Sequence, residues 1–333
     1  MQNKLTLQDK FFITGSNGMV GRAIIRRLKE KGYGDKNIGG ELLLPSRKEL
    51  DLLNLNEVNN WFNQNSPTIV IHAAAKVGGI LANSSQPADF LLENLKMQTN
   101  VIESAYRSGV KRFIFLGSSC IYPKHSKQPI KEEYLLTSPL EKTNESYAIA
   151  KIAGIKLCQA LREQYEFDAI SLMPTNLYGP HDNYHLNNSH VLASLIRKFH
   201  EAKRIGAEEV ICWGTGKPLR EFMHVDDLGD AVVFALERWD PKAKNAPLDN
   251  DGIPLTHLNV GTGSDISIKE LAEMISSKVG FEGKISWDRN KPDGTPRKNL
   301  NINKFKELGW RSKIDLDQGI TSTIEIYKSL SNQ

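Results

Sequence analysis

Apolar runs alternate with amphipathic stretches through the first half of the chain. Lys10-Phe11-Phe12-Ile13-Thr14, Glu41–Pro45, Thr68–Ala75, Arg112–Gly117 and Ala169–Met173 read as short buried strands. Between them lie helical patterns. One passes through Ile24, Ile25 and Leu28 to a stop at Gly32; others span Asn56–Asn65, Ala88–Ser108 and Glu145–Tyr165. Thr68–Ala75 is wholly apolar apart from Thr68 and His72, as a strand covered on both faces would be. Gly78-Gly79-Ile80 reads as a flexible turn, and Tyr122–Asn144 as a polar loop. Strands alternating with helices predict an α/β fold built on a doubly wound parallel sheet.

The pattern changes at Pro174. Residues 174–183 are turn-rich. A helix is expected over Ser189–Ala202, capped by Ser189, followed by a strand at Val210–Gly214. Further helices are expected at Asp226–Glu237, Ile268–Ser277, Asn303–Leu308 and Asp317–Ser329, and strands at Leu258–Gly261 and Lys284–Trp287. Trp239–Asp251 reads as a surface insertion. The expected division is a dinucleotide-binding domain over 1–175, with 222–262 returning to it. A smaller mixed α/β domain over 176–221 and 263–333 would hold the substrate.

Composition narrows the class. Over 333 residues, 40% hydrophobic and 25% charged content describes a globular chain, and a formal charge of +4 without a basic stripe gives no reason to expect nucleic acid. Three cysteines, Cys120, Cys158 and Cys212, fit a reducing compartment. Met1–Lys10 has no apolar leader, and no run approaches a membrane span. A cytoplasmic location without membrane attachment is therefore expected.

Three groups of residues carry chemistry. Gly15-Ser16-Asn17-Gly18-Met19-Val20-Gly21 stands between a strand and a helix, where glycines let the backbone approach a pyrophosphate at a helix N-terminus. After the second strand, Arg47 occupies the position where an acidic residue would receive the ribose of NAD, so NADP is favoured; a solvated surface arginine is the alternative. Tyr147 and Lys151 are four apart and share one helix face, and Ser118 ends a strand. A phenol whose pKa is lowered by a nearby ammonium can protonate the alkoxide formed when a ketone accepts hydride. Ser118 would orient the same oxygen. A plain helix-surface contact is the bland reading of the Tyr–Lys pair. Cys120 lies two residues past Ser118, so on extended backbone its side chain points the same way. It is either a buried filler or a thiolate base. His72 reads as a core residue.

Taken with Leu116–Pro123, Pro174–Asn183, Asn188-Ser189-His190-Val191 and Lys291–Lys298, these motifs resemble the extended short-chain dehydrogenase/reductases. Within them, the chain is similar to the GDP-L-fucose synthase family of 3,5-epimerase-4-reductases, over about Phe12–Trp310. The resemblance implies a Rossmann-type fold, NADP and a GDP-linked 4-keto-6-deoxy sugar. It implies Ser118, Tyr147 and Lys151 as the reductase triad, Cys120 as the base and His190 as the acid of epimerisation. The cofactor would meet Thr14, Gly15, Ser16, Asn17, Gly18, Met19, Val20, Arg47, Leu116, Gly117, Ser118, Ser119, Lys151, Pro174, Thr175, Asn176, Leu177 and His190. The GDP-sugar would meet Lys198, Trp213, Arg220 and Asp293. No metal is expected, and a homodimer through Ala88–Ser108 and Glu145–Tyr165 is.

The same residues fit a 4-reductase or epimerase-reductase for another GDP-linked sugar such as a heptose. A 4,6-dehydratase would carry an Asp-Glu pair where Ser119-Cys120 stands. A cofactor-sensing binding protein would lack the Tyr–Lys pair.

Overall fold

In the computed structural model, residues 3–185, 189–291 and 293–331 are described. Asn188 and Pro292, quoted in the motifs above, lie outside them, as does Met1. The main sheet is built from β1 (Lys10–Thr14), β2 (Glu41–Leu43), β3 (Ile69–His72), β4 (Arg112–Leu116), β5 (Ala169–Pro174) and a later strand. Helices α1 (Met19–Glu30), α2 (Leu55–Asn65), α3 (Ile80–Ser85), α4 (Pro87–Arg107) and α5 (Glu145–Tyr165) connect them. Beyond these come β6 (Asn176–Tyr178), α6 (Val191–Arg204), β7 (Glu209–Trp213), β8 (Leu219–His224), α7 (Val225–Arg238) and β9 (His257–Val260). The chain continues through β10 (Asp265–Ser267), α8 (Ile268–Val279), β11 (Lys284–Asp288), β12 (Arg297–Lys298), α9 (Asn303–Glu307) and α10 (Leu316–Ser331).

The main sheet runs β2-β1-β3-β4-β5-β9 with every neighbouring pair parallel. Period-two alternation explains how both faces are covered. Phe11 and Ile13 point into one core with Ile24, Leu28, Leu228 and Val232; Phe12 points into the other with Val70, Phe113 and Ile155. Each such side chain contributes roughly 1.5–3 kcal/mol on burial. Strand order reverses between β1 and β3, and the carboxyl ends at such a reversal are where doubly wound sheets bind ligands. A smaller sheet, β10-β8-β12 with β6 also on β8, stands beside the first, and β7 pairs with β11. It has its own core, with Leu192, Ile196 and Phe199 against Leu271 and Ile275.

Several expectations need correction. The third strand stops at His72, because the N–H groups of Ala73 and Ala74 turn aside to the Thr14 hydroxyl, at 3.1 and 3.0 Å. Gly78-Gly79 is followed directly by α3 rather than by an open turn. The cap of α6 is His190, not Ser189. The supposed surface insertion begins with Trp239, which is fully buried and whose carbonyl accepts from Arg112. β6, β8, β10 and β12 were not foreseen.

Candidate active site

Helix α5 brings Tyr147 and Lys151 to the end of β4. Two features let it lie close. Gly154 sits where a Cβ would be 2.4 Å from the Phe115 ring, and Gln98 of α4 donates to the Ala150 carbonyl at 2.5 Å. Lys151 is thereby buried and donates to the Leu116 carbonyl at 2.8 Å, its Nζ 4.8 Å from the Phe115 ring centroid and 5.9 Å from that of Tyr147.

Burial lowers the lysine to about 7. The phenol of Tyr147 is pushed up, by burial first and by the Cys120 sulfur second, with the Ser118 hydroxyl working the other way. In the protein by itself, burial outweighs any lowering of the phenol by Lys151.

The backbone around Cys120 also differs from expectation. It is not extended. Ser118 caps a 3₁₀ turn over Ser119–Ile121, its hydroxyl accepting the Cys120 N–H at 3.2 Å. The turn, rather than a strand alternation, puts the thiol beside Ser118. Burial alone would raise the thiol, yet its pKa is lowered, because Lys298 and then Ser118 act on it, with Arg220 adding to them. Lys298 Nζ lies 3.4 Å from the sulfur.

His190 is exposed, but the protein around it depresses its imidazole, by desolvation first and by Lys298 second. Lys298 is thus a neighbour of both groups expected to move protons. A thiol disposed to ionise, an acidic imidazole and a phenol with its hydroxyl partner are the equipment for proton abstraction and for protonation of an oxygen.

The glycine turn fits a pyrophosphate. Gly15 has φ +69°, and a Cβ on Gly21 would stand 2.2 Å from the Gly15 carbonyl, so both positions exclude a side chain. Gly18 caps α1 without a side-chain bond, and the first turn, from Met19 and Val20, holds no acid. The free N–H groups there are a ready anion site. Ser16 is buried, and Asn17 holds Arg22 through its carbonyl.

Thr14 cannot offer its hydroxyl to a ligand. It takes N–H bonds from Ala73 and Ala74 and pairs with His72 Nδ1 at 3.1 Å, which uses its donor and both acceptors. His72 is a buried core residue, as read from the sequence, held near pKa 3 by burial and then by Lys151. Arg47 is exposed in the turn after β2.

Leu116, Gly117 and Ser119 are buried at the end of β4, and Gly117 leaves room for Met173. At the end of β5, Pro174 leads to Thr175 and Asn176, whose side chains donate to the Glu221 carbonyl at 3.1 and 2.7 Å; Leu177 follows in β6. On the smaller sheet, Trp213 is 47% exposed, with Lys198 and Lys291 at 5.4 and 5.2 Å from its ring. Arg220 faces Lys298 across β8 and β12. Asp293 takes both the N–H and the hydroxyl of Thr215, at 2.7 and 2.8 Å, so part of its acceptor capacity already holds the loop after β7.

The NAD dependent epimerase/dehydratase family matches residues 11–249. The chain belongs to this family. "GDP-L-fucose synthase 1" of Arabidopsis thaliana is 54% identical over 325 residues, covering 97% of this chain and 95% of the relative. The crystal structure of a GDP-6-OMe-4-keto-L-xylo-heptose reductase from C. jejuni is similar with TM-score 0.88 and 36% identity, over 98% of this chain and 99% of that one. A GDP-L-fucose synthetase from Naegleria fowleri, solved bound to NADP, gives TM-score 0.86 and 26% identity over 100% and 98%.

For this member of the epimerase/dehydratase family, sequence reasoning missed two residues that shape the site. Lys298 was seen only as part of a motif. Nothing in its spacing separates it from Lys291; the β8–β12 pairing does. Glu221 is completely buried in β8, a strand whose mixture of charge and apolar residues gave no period to read.

Proposed function

We propose that this chain is an NADPH-dependent enzyme that epimerises GDP-4-keto-6-deoxy-D-mannose at C3 and C5 and reduces it at C4, giving GDP-L-fucose. Relatives bearing that name cover nearly its whole length, and the observation that carries the two-chemistry reading is Lys298 Nζ at 3.4 Å from Cys120 Sγ. A thiol so disposed suits abstraction of a carbon-bound proton, a step that reduction alone does not require.

The roles follow from the chemistry of the side chains. The C4 ketone makes the C3 and C5 hydrogens acidic. Cys120 as thiolate takes the proton, and the electron pair moves onto the ketone oxygen as an enolate. His190 returns a proton to the other face of the carbon, inverting it. NADPH, when bound, supplies the hydride that reduces C4. Tyr147 gives its proton to the oxygen, Ser118 orients that oxygen, and Lys151 fixes the end of β4 beside it. The turn Gly15–Gly21 would hold the pyrophosphate of the cofactor and Arg47 its 2′-phosphate. Lys198, Arg220 and Lys298 favour an anionic substrate, with Trp213 as an exposed face for it.

The division into a cofactor domain (1–175 with 222–262) and a substrate domain (176–221 and 263–333) is supported by β9 completing the main sheet and by the separate core of α6 and α8, while Leu300, Ile302, Phe305 and Trp310 pack in the main sheet's cores and argue against the boundary there. A dimer through α4 and α5 is supported by Leu92 and Ile149, exposed at 53% and 44%. No helix among the described residues is long and apolar enough to cross a membrane, and we place the enzyme in the cytoplasm on its cysteine content.

The test mixes purified protein with GDP-4-keto-6-deoxymannose and NADPH. Loss of absorbance at 340 nm with formation of GDP-L-fucose supports the reading. No turnover on this sugar, with turnover on a GDP-4-keto-heptose, favours the second reading that the heptose reductase resemblance raises.

A further inference from the structure

Glu221 lies in the middle of β8, 0% exposed, and the chemistry above does not use it. Its carboxylate accepts three backbone N–H groups: Oε1 from Thr262 at 2.7 Å and Gly263 at 2.8 Å, Oε2 from Leu300 at 2.7 Å. Gly261 passes so close that a Cβ there would sit 2.0 Å from Oε1. Burial raises this carboxyl, and the three N–H groups oppose the rise. Three donors and no acceptor suit the ionised form. The same residue's carbonyl receives Thr175 and Asn176. One residue therefore ties the end of β5, the 261–263 loop and the segment after β12 to a single point.

That segment carries Lys298. β12 is only Arg297–Lys298, paired with Leu219 and Arg220, and so short a ladder fixes little by itself. The Leu300 N–H bond to Glu221 lies two residues further on, and there the strand is pinned. We infer that Glu221 is a positioning residue for the epimerase half of the site, its carboxylate holding Leu300 to β8 so that the Lys298 ammonium rests against the Cys120 sulfur. This deepens the proposed function and rests on it for its purpose, but the geometry is that of the free enzyme.

The groups that face the thiol are Lys298 from β12, Arg220 from β8, Tyr147 from α5 and Ser118 from its own turn; Glu141 stands near both cations and His190 near Lys298. Glu221 is not among the groups that face the sulfur; its effect is routed through Lys298, and an effect routed instead through its chain neighbour Arg220 would persist without Lys298.

The experiment is the pH dependence of Cys120 alkylation by iodoacetamide; Cys158 and Cys212 are buried. In Glu221→Gln the amide would set N–H against N–H. The alkylation midpoint is expected to move up by about 1 pH unit, roughly tenfold slower reaction below the midpoint. Lys298→Met should give the same displacement, and Glu221→Gln added to Lys298→Met should change nothing further. A folded Glu221→Gln protein with the wild-type midpoint overturns the inference, as does a displacement that persists in the Lys298→Met background. Amide exchange in the unaltered protein reads the same bond without any variant: slow exchange at Leu300 is expected, and exchange at open-loop rates overturns it. No substrate enters these measurements, so a wrong sugar assignment would leave their outcome intact.

Discussion

Lys298 and Cys120 stand 178 positions apart in the chain, yet the Nζ of one lies 3.4 Å from the Sγ of the other. The pairing reverses what burial alone would do to the thiol, and keeps it below the ordinary range. Removing the ammonium should therefore raise the thiol. For Lys298→Met, exchange of the C3 proton with solvent is expected to fall roughly 10- to 100-fold at neutral pH and to recover as pH rises toward the ordinary thiol pKa. Solvent-deuterium incorporation measured against pH checks it. An unchanged pH profile would deny Lys298 this role.

Lys151 predicts a pH-dependent contribution to stability. Its folded pKa of about 7 is below the ordinary 10.5, so the unfolded chain binds the extra proton between those values. Stability from this group is complete above about 10.5, and is lost as pH falls through 7. Lys151→Met removes this titration but leaves the Leu116 carbonyl without its donor, so its melting temperature relative to wild type should fall as pH rises from 7 toward 10, with reductase activity lost throughout. Thermal melts across that range decide the matter.

Arg112 is buried under the main sheet, paired with Asp168 and donating to the carbonyls of Ala235, at 3.2 Å, and Trp239. Arg112→Met leaves Asp168 and these carbonyls short of a partner. A loss of roughly 3–5 kcal/mol in chemical denaturation is expected, with kcat of the folded protein unchanged.

The same region shows where reading the sequence succeeded and where it stopped. β1, β3, β4 and β5 were legible because strands covered on both faces leave unbroken apolar runs, such as Phe11–Ile13 and Phe113–Leu116. The glycine turn was legible because its glycines answer steric needs at Gly15 and Gly21. Trp239 read as surface because the polar residues after it, Asp240, Lys242 and Lys244, masked one deeply buried ring. β8 was hidden because Arg220 and Glu221 break any alternation, and β12 because two residues carry no period. The position of Cys120 was expected for the wrong reason: a 3₁₀ turn capped by Ser118, not a pleat, aims it.

Arg47 tests the cofactor preference. It is exposed after β2, where a guanidinium can meet a 2′-phosphate. Arg47→Asp is expected to lose about 10- to 100-fold in kcat/KM with NADPH and to gain relative activity with NADH. Equal use of both cofactors before and after the change would show that this arginine is only surface.

The most direct measurement follows both chemistries in one tube. Cys120→Ser is incubated with GDP-4-keto-6-deoxymannose and NADPH in D2O, and NADPH oxidation is recorded beside deuterium at C3 and C5. The account predicts that deuterium incorporation collapses while hydride transfer persists. Incorporation at the wild-type rate, or an equal loss of both, would contradict it.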